Sequence, residues 1–117
     1  MGRIDKINQM IKREVGEIIF KEIKDPRLEF VTITEVVVTK DLQHAKIYYS
    51  VLGNKDQAQK TQEGLSSARG FIRKLIGQRV RMRYTPEVEF IFDPTIEYSA
   101  RIEAALEEIH HELGENN

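Results

Sequence analysis

The sequence contains no cysteine and only three prolines among its 117 residues. Without a thiol there is no disulfide framework and no thiolate site, which fits a reducing cytoplasm. No apolar run approaches the ~20 residues that a bilayer crossing needs. The first residues (Arg3, Asp5, Lys6) are charged, so a secretory leader with its apolar stretch is not expected, and a cytoplasmic location is. At 40% apolar and 32% charged residues, the composition is that of a globular domain rather than a disordered chain. The length suits a single domain, expected over residues 1–113 with a frayed tail at 114–117.

The usual marks of catalysis are also missing. There is no GxxxxGK[ST] phosphate loop and no GxGxxG. His44 falls in a polar turn. His110 and His111 are adjacent on an expected helix, so they project about 100° apart and cannot face one metal ion. The run His111-Glu112-Leu113-Gly114-Glu115 has glutamate where a zinc-protease helix needs its second histidine. Ser66 and Ser67 have no histidine near them in sequence. No catalytic residue, metal site or cofactor is therefore expected, although a small enzyme remains a third alternative that a pocket of convergent polar groups would reveal.

The charge that is present is segregated. Residues 1–63 balance 11 Lys/Arg against 10 Asp/Glu. Residues 64–86 carry Arg69, Arg73, Lys74, Arg79, Arg81 and Arg83 and no acid at all, and residues 87–117 carry nine acids against Arg101 alone. A near-neutral total thus conceals a strongly positive stretch, and the local field decides what a surface attracts.

Hydrophobic periodicity supplies the elements. Ile4, Ile7, Ile11, Val15, Ile18 and Ile19 form one helical stripe, with Asp5 near its positive end and Gly16 suggesting a close approach to another backbone. Asp25-Pro26 ends it. The β-branched run Phe30–Thr39 predicts a strand, a polar turn follows, and Ala45, Ile47, Tyr49 and Val51 alternate with polar neighbours in a second strand. Asp56 and Gln59 have capping-box spacing for a helix bearing Ala58, Thr61, Leu65 and Ala68. Gly70 predicts a kink, framed by Ala68 and Arg69, before a further helix with Phe71, Ile72, Leu75 and Ile76, the alternative being one uninterrupted helix that tolerates the glycine. From Val80 the even positions are apolar through Phe92, which predicts a third strand with Arg79, Arg81 and Arg83 on its outer face and an edge or bulge at Pro86. A last helix carries Tyr98, Ile102, Ala105, Leu106, Ile109 and Leu113. The order α-β-β-α-(kink)-α-β-α with a three-stranded sheet is an α+β two-layer domain.

Arginine's planar fork suits phosphate oxygens, and guanidinium groups spaced ~7 Å apart along a strand match successive backbone phosphates. Arg73, Lys74, Arg79, Arg81 and Arg83 are therefore the candidate RNA-binding residues, extended by Arg3, Lys12 and Arg13 of the first helix. Aromatics placed for base stacking are scarce, so recognition by backbone and shape is expected. Two readings compete with this. An acidic protein partner would satisfy the same arginines, making the chain an interaction adaptor, and the C-terminal acids could fold back over them.

Several blocks in one order carry a resemblance. They are Asp25-Pro26-Arg27-Leu28, then Val31-Thr32-Ile33-Thr34 with Val36, Val38, Asp41-Leu42 and Ala45, then Ala68-Arg69-Gly70-Phe71-Ile72-Arg73, then Arg81, Arg83, Pro86, Phe90 and Asp93. From about Arg3 to Ile109 the chain resembles the ribosome-binding factor A family, departing from its pattern at Thr95 and Ser99. The resemblance implies a type II KH-like fold, with an Ala-x-Gly kink in place of the Gly-x-x-Gly loop that clamps single strands in other KH domains. It further implies a monomeric, cofactor-free factor that binds the small (30S) ribosomal subunit and its rRNA. Such a factor supports late 16S rRNA maturation, including processing of the 5′ end, and growth in the cold. It leaves the finished subunit with help from a ribosome-associated GTPase.

Overall fold

Ile7, Ile11, Val15 and Ile18 recur at spacings of three and four, and all four are buried. They belong to helix α1 (Arg3–Glu17) and to a π-helical turn that continues it (Ile18–Glu22). The computed structural model describes residues 2–93. After α1 the chain makes a 3-10 turn (Pro26–Leu28), strands β1 (Val31–Val38) and β2 (His44–Val51), helix α2 (Lys55–Arg79) and strand β3 (Glu87–Phe92). The expected last helix, bearing Tyr98 to Leu113, lies outside the described residues.

β2 is the middle strand of a three-stranded sheet, antiparallel to β1 and parallel to β3. A parallel partner requires a crossover, and α2 supplies it. The predicted alternation in β2 holds as far as Tyr49, with Ala45, Ile47 and Tyr49 buried and His44 and Lys46 exposed, and breaks at Ser50, which is buried beside Val51. In β1 the apolar positions change parity, from Val31 and Ile33 to Val36 and Val38. The sheet absorbs the change in a bulge between Ile33 and Glu35, so one extra residue returns both valines to the core face.

The core gathers the α1 stripe, Ile72, Ile76 and Val80 from α2 and its end, and Val36, Val38, Ala45, Ile47 and Val88 from the sheet. A second cluster joins Leu28, Tyr49, Val51 and Leu65. Tyr49 meets Phe92 edge-on, with centroids 5.7 Å apart, and burial raises its phenol pKa. α1 is tied to the β1 edge where Val38 N–H donates to Asn8 Oδ1 at 2.8 Å. At the start of α1, Gly2 N–H donates to Asp5 Oδ2 at 3.2 Å.

The Asp25–Leu28 turn is built on one ion pair. Arg27 donates to the Asp25 carboxylate from its backbone N–H (2.9 Å), Nε (3.1 Å) and Nη2 (2.8 Å). These bonds, the side-chain ones first, hold the Asp25 carboxyl below its ordinary range, and the pairing raises Arg27 in turn. The turn seats on α2, where Thr61 Oγ1 donates to the Arg27 carbonyl at 2.9 Å. Gly64 makes the seat possible, since a Cβ there would lie 3.0 Å from Leu28 Cδ2 and 3.3 Å from Arg27 Cβ.

Four expectations are corrected. α2 runs uninterrupted from Lys55 to Arg79 through Ala68, Arg69 and Gly70, so the two helical pieces are one. Gly70 faces solvent with nothing within 4 Å of where its Cβ would be, and a solvent-facing glycine weakens a helix without breaking its hydrogen-bond ladder. Gly16 likewise has open space beside it rather than a packed backbone. The cap of α2 is Asn54, whose Oδ1 accepts from Gln57 N–H at 3.0 Å, not Asp56. Finally, β3 begins at Glu87, so Arg79 closes α2 and Arg81 and Arg83 lie in the connection, not on a strand. The even-numbered parity arises partly from burial without a strand, because Val80 and Pro86 are both core residues of an irregular segment.

Candidate nucleic-acid interface

The acid-free stretch forms the second half of α2 and the connection to β3, and its cations divide into two sets. Arg73 and Arg79 are engaged within the fold. Arg73 donates from Nε to the Pro86 carbonyl and from Nη2 to the Thr85 carbonyl, both at 3.1 Å, and lies 3.7 Å from Glu87. The connection therefore presses against α2, and Gly77 marks the contact: a Cβ there would fall 2.5 Å from Thr85 Oγ1. Arg79 reaches the other way, to Glu22 at 3.1 Å and Glu14 at 3.7 Å, closing the end of α2 onto α1.

The second set is exposed. Arg69 and Lys74 stand on α2 outside its buried stripe of Leu65, Ile72 and Ile76, and Arg81 and Arg83 project from the connection. None of the four forms an ion pair among the described residues. Arg83 sits 5.4 Å from the centroid of the Tyr84 ring, and Tyr84 is 62% exposed. Sequence parity assigns that tyrosine to the inner face of a strand, and only the true course of the connection brings it out. Phe71, part of an apolar stripe by sequence, is 45% exposed on α2.

The cations of α1 occupy other positions. Arg3 is exposed at the helix start. Lys12 and Arg13 line a groove between α1 and β1, and Arg13 pairs with Glu17 at 3.7 Å. On the helical wheel Lys12 lies across the buried stripe from Glu14, the residue that Arg79 grips, and Arg13 points away from the stripe into solvent. The exposed cations of α2 and its exit are thus Arg69, Lys74, Arg81 and Arg83, with Arg69 and Lys74 about 140° apart around the helix, whereas Lys12 and Arg13 belong to α1.

Chemically, α2 and its exit offer solvated cations that form no ion pair among the described residues, and two exposed rings, Phe71 and Tyr84, on the same stretch of chain. Guanidinium and ammonium groups of this kind bind phosphate oxygens without reading base identity. Arg73 and Arg79 give the patch its shape by fixing the connection and the helix end.

Comparison with known proteins gives a consistent picture. The family model of ribosome-binding factor A matches residues 3–106. The crystal structure of ribosome-binding factor A from Thermus thermophilus is similar, with a TM-score of 0.68 at 26% identity over 78% of this chain and 96% of that one. The solution structure of a Thermotoga maritima protein described as a candidate ribosome-binding factor A gives 0.66 at 32% identity, over 74% and 83% of the two chains. The Thermus thermophilus factor as fitted into the cryo-EM map of a 30S complex gives 0.61 at 29% identity, over 74% of this chain and 91% of that one.

Proposed function

The chain belongs to the ribosome-binding factor A family, and from that premise we propose that it is a non-enzymatic assembly factor that binds the small ribosomal subunit in the cytoplasm. It supports late 16S rRNA maturation, including at the 5′ end, and growth in the cold, as a monomer without cofactor, and a ribosome-associated GTPase aids its release. The observation that carries the reading is the exposed set Arg69, Lys74, Arg81 and Arg83, unpaired by any described carboxylate. A relative of the same fold is seen with a 30S particle, which supports the choice of partner.

Binding in this reading is electrostatic and shape-driven. Lys74 and Arg81 meet backbone phosphates, and Arg83 does so while stacked on Tyr84. An exposed ring under a guanidinium adds a surface on which an unpaired base stacks, worth about 1–3 kcal/mol where it is used.

The test is co-sedimentation with small subunits. Arg81→Glu combined with Arg83→Glu reverses two charges in an irregular, solvated segment, so the circular dichroism spectrum is unchanged and binding is lost. Undiminished co-sedimentation at moderate salt would remove the proposed face. RNase digestion separates the adaptor alternative, because a protein partner stays bound when the RNA is gone.

A further inference from the structure

β1 is an edge strand, and its outer edge is open where it starts. Leu52 N–H donates to the Phe30 carbonyl at 3.1 Å and Thr39 N–H to the His44 carbonyl at 2.9 Å, so the backbones of Phe30 and Thr39 turn toward β2. Residues of an antiparallel strand alternate in this respect. The N–H and C=O groups of Val31 and Ile33 therefore point away from β2, as the Val38 N–H does beyond the bulge. Asn8 Oδ1 takes the Val38 N–H, and no described group takes those of Val31 and Ile33.

A groove of about 820 Å³ runs along this open stretch. Its far wall is Ile19, Phe20 and Ile23, which face the side chains of Val31 and Ile33. Phe20 is 86% exposed, an unusual state for a ring beside so much apolar surface. Unpaired backbone groups along a strand, with an apolar wall opposite, are what a sheet needs to accept one more strand. Main-chain bonds hold the added segment, and every second side chain enters the groove. A nucleic acid offers no such ladder of amides, so the matching partner is a peptide.

Charge gives the added strand a direction. Among the residues lining the groove, Arg13 is paired with Glu17 at 3.7 Å and Asp25 with Arg27 at 2.8 Å, which leaves Lys12 and Glu29. Lys12 lies toward Thr34 and Val36, with which it also lines a smaller cleft, and Glu29 precedes Val31. The two therefore stand at opposite ends of the open stretch. A strand antiparallel to β1 would begin at Lys12 and end at Glu29.

We propose that β1 accepts an extended peptide of another protein as a fourth strand. Alternate apolar side chains of the peptide lie on Ile19, Phe20 and Ile23, with an acidic residue leading at Lys12 and a basic one closing at Glu29. This surface is separate from the exposed cations of α2 and does not depend on what they bind.

The test titrates the full chain with the end-capped peptide Glu-Val-Thr-Val-Thr-Lys, read by amide NMR. In the proposed register its valines lie opposite Ile33 and Val31 and exchange hydrogen bonds with them, while the threonine amides face away. The resonances of Ile19, Ile23, Val31 and Ile33 should shift, and the Val31 and Ile33 amides should exchange more slowly. N-methylation of both valines should abolish binding, and N-methylation of both threonines should preserve it. Phe20→Asp alters a ring that is already exposed, so it leaves the fold intact and should weaken binding about tenfold. The peptide with its two charges exchanged should bind more weakly than the original. Absence of any response at about 1 mM peptide overturns the proposal, as do equal effects of the two methylations or shifts confined to α2. Equal affinity of the charge-exchanged peptide overturns the assigned ends.

Discussion

Arg73 donates from Nε to the carbonyl of Pro86 at 3.1 Å, so the residue immediately before β3 hangs from a side chain of α2. An arginine in a basic stretch is thereby a structural clamp, while its neighbour Lys74 points to solvent. Arg73→Leu should lower stability by about 1–2 kcal/mol, since two carbonyls lose a charged donor. Lys74→Ala should change stability by less than about 0.5 kcal/mol and yet weaken binding to small subunits. Urea denaturation and co-sedimentation of both variants check the split. A stable Arg73 variant with impaired binding would return Arg73 to the RNA-contacting set.

The glycines of α2 divide in the same way. Gly77→Ala puts a methyl 2.5 Å from Thr85 Oγ1 and 3.3 Å from its Cγ2, so rotating the threonine exchanges one clash for another. Gly70→Ala meets nothing. Alanine gains up to about 1 kcal/mol of helix propensity at either site. Gly70→Ala should therefore be stabilised by about 0.5–1 kcal/mol and Gly77→Ala destabilised despite that gain. Thermal or chemical denaturation gives both signs, and a destabilised Gly70→Ala would show that position to need a glycine after all.

Where one period governs, the sequence is legible. The α1 stripe and the alternation in β2 are repeated patterns with many votes each, and a three-stranded α+β sheet follows from them. What fails are inferences from single residues. Gly70 and Gly16 suggest close approach, whereas the close approaches are at Gly64 and Gly77, because what approaches them is Leu28 and Thr85, remote in sequence. The even-numbered run from Val80 is a true strand only from Glu87; before it, tertiary burial of Val80 and Pro86 imitates the period without a ladder. At the candidate interface, charge composition locates the basic stretch but does not separate Arg73 and Arg79, which have partners distant in sequence, from Lys74, Arg81 and Arg83. Tyr84 escapes sequence reasoning for the same cause.

Acid should selectively loosen the Asp25–Leu28 turn. The Arg27 side chain first, and its backbone N–H second, hold the Asp25 carboxyl below its ordinary range. A carboxyl that is more acidic folded than unfolded contributes stability above its unfolded pKa and loses it as pH falls through the folded one. The stability gap between the native chain and Asp25→Asn should be open at neutral pH and close below about pH 4. Asp41, lowered chiefly by the Thr39 hydroxyl and then by Gln43 N–H, should behave alike. Urea midpoints over a pH series measure this. A gap that persists unchanged into acid would mean that the ionised carboxylate is not what the turn relies on.

Salt dependence offers the sharpest separation of the engaged from the free cations. Each phosphate neutralised contributes about 0.7–0.9 to the slope of log affinity against log salt. Arg81→Gln and Arg83→Gln should each flatten that slope by roughly one contact's worth. Arg79→Gln should leave it unaltered, because its guanidinium already serves Glu22 and Glu14, and should instead cost up to about 1 kcal/mol of stability from a partly exposed pair. Fluorescence anisotropy with a short rRNA fragment over a fourfold salt range measures all three. If Arg79→Gln flattens the slope as much as Arg81→Gln does, the helix end opens on binding and the two sets of cations act as one.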